Sequence, residues 1–331
     1  MIITRTPLRI SFIGGGSDLP AFYNKAIGRV VSTAINKYIF VGINERFEKN
    51  FRIGYSVTEI VDKPEQVKNT RVQAALRHFN VKRGLEIVSV ADIPSKGTGL
   101  GSSSSFAVGL LSGLSQYLGN HLHKDRKELA EAACRLEIET LKEQIGKQDQ
   151  YAAAFGGLNY IEFHSDKVVV EPIKISSAKM EDFKNHLLVF YTGIARSATD
   201  NSKILTKNLI SDEIRFSAQK QLADSAISFK NKLIKGDFKQ LGEILHDGWL
   251  LKKKTSGAIS NKLVDNIYNL GMKNGAWGGK LLGAGGGGFM LFLAPPKNHK
   301  KLLTTFSKLQ KLDVGFDDHG AKVIFNRYEY Q

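Results

Sequence analysis

The stretch Ala91-Asp-Ile-Pro-Ser-Lys-Gly-Thr-Gly-Leu-Gly-Ser-Ser-Ser-Ser105, continuing as Phe106-Ala-Val-Gly-Leu-Leu-Ser-Gly-Leu-Ser-Gln-Tyr-Leu118, decides how this chain reads. Before it, Leu85-Glu-Ile-Val-Ser-Val90 alternates apolar and polar residues as a half-buried strand does. After it, Phe106, Leu110, Leu114 and Leu118 recur every fourth residue, with Ala107 and Leu111 beside them, which predicts a helix with one apolar stripe. Between the two lie glycines at 97, 99 and 101 and four consecutive serines. Glycine lets a backbone approach closely, and the first amides of a helix lack internal partners and carry the positive end of its dipole. A strand, glycine loop and helix in that order form an anion seat, phosphate above all. A serine-capped polar turn is the plainer alternative, but a cap needs one serine and no glycines.

Two familiar phosphate loops do not fit. A Walker A motif wants Gly-Lys-Ser/Thr where this chain has Gly101-Ser102. A dinucleotide fingerprint wants a third glycine at 104, which is serine, and an acid some twenty residues on, where the chain reads His121-Leu-His123. Gly14-Gly15-Gly16 fails likewise, because position 19 is leucine.

Outward from this loop, 331 residues suffice for a substantial core and suggest two domains. The composition, 42% hydrophobic with charges of both signs, fits a soluble globular chain. No apolar run approaches a membrane span and no leader pattern opens the chain, so a cytoplasmic protein is expected. The lone Cys134, beside Ala132 and Ala133 in a predicted helix, reads as a small buried hydrophobe. A net charge of +15 is spread along the chain, with Lys252-Lys253-Lys254 the one tight cluster, at a predicted helix end. No nucleic-acid motif accompanies it, and the charge reads as a surface that attracts anionic small substrates rather than nucleic acid or membrane. No histidine spacing suggests a zinc site.

Strands are expected at Leu8 to Ile13, Val30 to Asn44, Phe51 to Val61, Leu158 to His164, His186 to Gly193 and Lys322 to Tyr328. Helices are expected near Asn69 to Phe79, after Asp125, and, from residue 197 onward, in a run ending near Asn274, with one more near Lys297 to Leu309. Gln144 to Gly157 is too broken by glycine to predict as one clean helix. Strands and helices mix without a βαβ rhythm, so the class is α+β, with a boundary near residue 184 dividing domains 1–184 and 185–331.

Four places invite chemistry: Pro7-Leu-Arg-Ile-Ser-Phe-Ile-Gly-Gly-Gly-Ser-Asp18, the central loop, Gly146-Lys-Gln-Asp149, and the glycine run from Gly283 to Gly288. Together, and in this order, they resemble the small-molecule kinases named after galactokinase, homoserine kinase, mevalonate kinase and phosphomevalonate kinase, the GHMP family. The resemblance implies an N-terminal ribosomal-protein-S5-like domain and a C-terminal ferredoxin-like domain. It implies ATP phosphates over Lys96, Gly97, Thr98, Gly99, Leu100, Gly101, Ser102, Ser103 and Ser104, and Mg²⁺ on Ser103 and Glu137, with Glu139 as the alternative. It makes Asp149 the catalytic aspartate, as base or electrostatic anchor, with Arg9 beside it and Lys147 screening the same charge. Asp18 becomes a sugar-hydroxyl acceptor, its rival role being the cap of a short helix at Leu19-Pro20.

Galactokinases carry Glu-His where this chain has Gly15-Gly16. The run Gly-Gly-Gly-Ser-Asp-Leu-Pro, with Tyr191-Thr-Gly-Ile-Ala-Arg196 and Gly275-Ala-Trp-Gly-Gly-Lys280, resembles instead the branch that phosphorylates D-glycero-D-manno-heptose 7-phosphate at its anomeric oxygen. That implies a substrate site at Gly15, Gly16, Ser17, Asp18, Tyr191, Arg196, Lys280, Gly285 and Gly286, with Arg196 and Lys280 meeting the sugar's phosphate. A homodimer is left open. The reading requires Asp149 to face the glycine-serine turn across a cleft.

Overall fold

The computed structural model describes residues 1–93, 97–194 and 198–327, the side chains of 198–200 excepted. The first half runs β1 (Ile2–Ile13), α1 (Pro20–Tyr23), β2 (Gly28–Glu45), β3 (Phe51–Gly54), β4 (Thr58–Val61), α2 (Thr70–His78), β5 (Leu85–Ala91) and α3 (Ser102–Tyr117). It continues with α4 (Arg126–Cys134), which passes into a π-helical turn (Arg135–Thr140), then α5 (Gln148–Phe155), β6 (Leu158–Phe163), β7 (Val168–Pro172) and α6 (Ser177–Asn185). The second half runs β8 (Leu187–Tyr191), α7 (Ala198–Ser211), α8 (Glu213–Lys235), α9 (Phe238–Thr255), α10 (Lys262–Lys273), β9 (Gly278–Leu281), β10 (Phe289–Leu293), α11 (Pro296–Thr305) and β11 (Lys322–Asn326).

The long β2 organises the larger sheet. Its first part pairs with β6 and its last part with β5, while β1 lies antiparallel along its whole length. The order is β11-β1-β2-β5-β3-β4, with β6 and β7 extending from β2. The smaller sheet is β8-β10-β9, with a single bridge from Phe190 to Lys311 on the outer side of β8. The chain passes from the larger sheet to the smaller one between β7 and β8, then closes back: β11 pairs with β1. One apolar core also runs through both halves, taking Leu110 and Leu114 from α3, Phe229 and Leu233 from α8, and Leu291 from β10. The halves share this core, and the second half has a further one of its own around Phe190, Trp249, Val264 and Phe292.

Three local expectations differ from what forms. Phe51 to Val61 is a hairpin of two short strands, since Gly54 and the following turn break the run. The apolar stripe of α3 is wider than the four-residue spacing suggests: Ala107, Val108, Leu110, Leu111 and Leu114 are all fully buried, whereas Leu118 is exposed. A helix covered on most sides needs apolar or small residues all round, which explains its serines and glycines. Finally, Gln148–Phe155 is a helix, because the glycines that punctuate this region, Gly146, Gly156 and Gly157, lie just outside it.

Candidate active site

β1 carries the first functional side chain at a place where its ladder is irregular. Its register against β2 shifts between Pro7 and Leu8 and again between Ser11 and Ile13. Pro7 cannot donate to the ladder, and such bulges re-aim side chains. Between the two shifts, Arg9 points out of the sheet to Asp149: Nε donates to Oδ1 at 2.8 Å and Nη2 to Oδ2 at 2.9 Å. Its third donor, Nη1, reaches the carbonyl of Gly99, and its backbone N–H donates to the Leu100 carbonyl at 2.9 Å. One residue thus binds the glycine loop twice and the aspartate twice, which the rigid planar fork of arginine allows and lysine would not.

The loop itself is built for close approach. Gly101 is the N-cap of α3 in a left-handed conformation (φ +79°), and no side chain caps the helix. The four serines therefore do not cap it, and its leading amides stay open to an anion. A Cβ on Gly101 would lie 3.2 Å from Arg9 Cγ and 3.3 Å from Asp149 Oδ2, so the loop and the aspartate are in contact. On the loop's other side Gly99 (φ +76°) lies against the glycine run of the second half, where a Cβ would stand 2.4 Å from the Leu282 carbonyl.

Asp149 sits in the first turn of α5, where the helix dipole favours a carboxylate. The preceding residue, Gln148, ties the acceptor side together. Its N–H donates to Asp18 Oδ2 at 3.1 Å, its Oε1 accepts from Ser11 Oγ at 2.8 Å, and its Nε2 donates to Asp149 Oδ1 at 3.3 Å. Asp18 also accepts from the Gly16 N–H at 2.9 Å. The N-cap of α1 is Leu19, so Asp18 is no cap and faces the cavity instead. Burial pushes its pKa up, the Asp149 charge adds to this, and the backbone N–H groups of Gln148, Gly16 and Asp18 itself act against it.

Glu137 lies inside the π-helical turn and is fully buried, whereas Glu139 is exposed. The extra residue of a π turn rotates Glu137 inward, and such turns gather at functional sites. Arg71 of α2 donates to its Oε1 at 2.8 Å and to Glu143 Oε2 at 2.6 Å, and Gln150 Nε2 donates to its Oε2 at 2.6 Å. The serine bonded to it is Ser104; Ser103 is exposed at the cavity mouth. Burial raises the pKa of Glu137 in spite of Arg71, so the positive charge around it does not fully offset its desolvation. A carboxylate and a serine hydroxyl are the oxygen donors a hard divalent cation takes, but Glu137 does not line the cavity and both of its oxygens are engaged, so a cation reaches it only where Arg71 and Gln150 yield.

A single cavity gathers Arg9, Asp18, Asp149, Gly15, Gly16, the loop from Gly97 to Ser104 except Leu100, and Lys280. Leu100 is buried in the core beneath it. Other expected site residues fall outside. The Lys147 ammonium lies over the Tyr23 ring, 4.7 Å from its centroid, away from the cavity. Tyr191 packs on Phe289, with centroids 5.2 Å apart. The Ser17 hydroxyl is spent on the Arg29 backbone. Gly285 and Gly286 are bonded to Asn201, Ile259 and Asn261 behind the lining, which takes Gly283 and Ala284 instead. Lys280 does line the cavity, but two of its protons go to the Ser11 and Phe12 carbonyls at 2.8 and 2.9 Å. Lys96 and Arg196 lie outside the described residues.

Sequence reasoning missed Arg71, Gln148 and Lys252, which also line the cavity. Lys252 carried a signal: it continues the buried face of α9 through Leu241, Leu245, Gly248 and Trp249, a lysine where the periodicity asks for an apolar residue.

A family model described as GHMP kinases N terminal domain matches residues 68–157, and one described as GHMP kinases C terminal matches residues 229–307. The chain is 32% identical to the D-glycero-alpha-D-manno-heptose 7-phosphate kinase of Campylobacter jejuni, over 97% of this chain and 98% of that one. It is 25% identical to the galactokinase of Thermotoga maritima, over 95% and 96% of the two chains. Among solved structures, a D-glycero-D-manno-heptose 1-phosphate kinase from Bacteroides thetaiotaomicron superposes with a TM-score of 0.82 at 25% identity, covering 98% of this chain and 99% of the other.

Proposed function

The chain belongs to the GHMP kinase family and is a phosphotransferase with an alcohol acceptor; from that premise we propose that it moves the γ-phosphoryl group of ATP to the anomeric hydroxyl of D-glycero-D-manno-heptose 7-phosphate. One observation carries the chemistry. Arg9 holds Asp149 against Gly101, so the group that handles the acceptor hydroxyl and the amides that hold the donor share one wall of the cavity.

The residues divide the work as phosphoryl transfer requires, by alignment and charge compensation rather than covalent chemistry. Open amides at the start of α3 hold the donor phosphates. Arg9 fixes the orientation of Asp149 and ties it to the loop. Asp149 accepts the proton of the attacking hydroxyl as that oxygen bonds to phosphorus, while the bridging oxygen leaves with its electron pair on ADP. Asp18, held by the N–H groups of Gly16 and Gln148, orients a second sugar hydroxyl. Glu137 with the Ser103 or Ser104 hydroxyl would hold Mg²⁺, which supplies positive charge to the phosphates.

The acceptor is argued from space and charge. Gly15 presents backbone to the cavity where galactokinases place a side chain, which leaves room on that side, whereas the space beside Gly16 is taken by Gln219 and Leu205. The name of the Campylobacter relative points to a heptose phosphate. A cytoplasmic location, with ATP at hand, goes with this reading. A coupled ADP-release assay across free and phosphorylated sugars, with ³¹P NMR of the product, tests it. The expected result is turnover with heptose 7-phosphate and a new phosphoester at C1. Equal consumption of free hexoses, or a product phosphorylated elsewhere, would overturn it.

A further inference from the structure

Five ionisable side chains meet around the inner end of the cavity: Arg9, Asp149, Asp18, Lys252 and Lys280. Arg9 and Asp149 satisfy each other. Among the described residues the two lysines, each under a tenth exposed, have no carboxylate partner; their hydrogen bonds go to carbonyls. Lys280 commits two protons to β1 and so holds the bulged segment of that strand against β9. Lys252 gives a single proton, to the carbonyl of Gly283, and lines the cavity with two donors of its buried ammonium unbonded among the described residues. An unpaired buried cation is expensive, and a fold keeps one where an anion arrives to compensate it.

Position identifies the anion. The backbone of Gly283 touches that of Gly99, and the Gly99 carbonyl is the one that Arg9 holds. Lys252 therefore borders the point where the phosphate loop meets the aspartate. We propose that Lys252 of α9 is a catalytic residue whose ammonium contacts the phosphoryl group in flight, neutralising charge on its outer oxygens as the bond to ADP breaks and the bond to the acceptor oxygen forms. This rests on the kinase reading above and adds a residue from the second half of the chain to the Arg9–Asp149 pair and glycine loop of the first.

Electrostatics agrees. Burial, and then Arg9, lower the pKa of Lys252 to about 8, with Asp18 acting in the opposite sense. A lysine poised this way is still protonated at neutral pH, and an arriving phosphoryl group strengthens its hold on the proton. The cost falls on the empty protein. Below pH 8 the folded state carries a desolvated ammonium, and this penalty is relieved only as pH rises from about 8 towards the unfolded value of 10.5.

The test compares wild type with Lys252→Met and Lys252→Arg. Lys252→Met is expected to lower kcat by about 100-fold or more, with the KM of ATP and acceptor and the affinity for ADP changed by less than about threefold. The tighter binding of ADP with aluminium fluoride, a mimic of the phosphoryl group in flight, should be lost with kcat. Its melting temperature at pH 7 should hold or rise, whereas a lysine kept for packing would lower it. Lys252→Arg keeps the charge, and the alkaline decline of kcat/KM should move above the wild-type position near pH 8. Arg9, Asp18, Asp149 and Lys280 face Lys252 in both proteins, so the difference reports position 252. An unchanged kcat, an effect confined to acceptor KM, or an alkaline decline that stays put in Lys252→Arg each overturns the proposal. If wild type released no ADP with any sugar, the kinase reading would fail, and the aluminium fluoride measurement would still judge Lys252.

Discussion

Removing the Asp149 carboxylate should separate activity from stability in a way that the Arg9 pair makes quantitative. In Asp149→Ala the Arg9 guanidinium, 6% exposed, keeps only the Gly99 carbonyl. Breaking a fully buried pair costs about 3–5 kcal/mol. The Asp149 side chain is 28% exposed, so water already screens part of the attraction, and about 2–3 kcal/mol is the working figure. The catalytic loss is separate: a positioned acid-base group contributes about 10²–10⁴ in rate, or about 3–5 kcal/mol of barrier. The double variant Arg9→Met with Asp149→Ala removes the stranded charge, and should regain most of the lost stability while staying inactive. Urea unfolding measures the first quantity and coupled ADP release the second. Asp149→Ala that folds and keeps kcat within about threefold would refute the role of the aspartate. A double variant no more stable than the single one would refute the claim that Arg9 is there to be neutralised.

Gly99→Ala forces a side chain onto a left-handed backbone and into the Leu282 carbonyl, so affinity for ATP by calorimetry should fall by about tenfold or more, at about 1–2 kcal/mol for the backbone alone. Gly146→Ala acts on the acceptor side: its methyl would stand 1.8 Å from Asp18 Oδ2, displacing that carboxylate, and acceptor KM should rise about tenfold or more with ATP KM little changed. Cys134, buried and with its thiol pKa pushed up by that burial, should resist iodoacetamide in the native protein and take one label on unfolding, as read by mass spectrometry.

The parts of this site legible in the sequence are those whose chemistry is local. Gly97, Gly99 and Gly101 before an apolar helix read as an anion seat, since a glycine's freedom and a helix's open amides belong to one continuous segment, and the loop does line the cavity. Asp149 was legible by its neighbours, although the helix that carries it was not: Gly146, Gly156 and Gly157 bound the helix instead of breaking it. Lys147 and Lys280 show the limit. Both stand beside motif residues, yet one lies over Tyr23 and the other is spent on the Ser11 and Phe12 carbonyls, because a lysine's destination is set by acceptors brought from elsewhere in the fold. Arg71 was illegible for the same reason, since its partners Glu137 and Glu143 lie more than sixty residues away.

Lys252 stands between these cases. Within Lys252-Lys253-Lys254 it looks like a solvated helix end, and its neighbours conform, Lys253 reaching Asp265 and Lys254 being exposed. Helical period separates it from them, because three residues after Trp249 and seven after Leu245 places it on the face that α9 buries. A charged residue in register with a buried stripe costs stability wherever nothing pairs with it, so its presence asks for an anion. Among the described residues, the opening that Lys252 lines is the cavity walled by the glycine loop, and an anion that pairs with it would enter there.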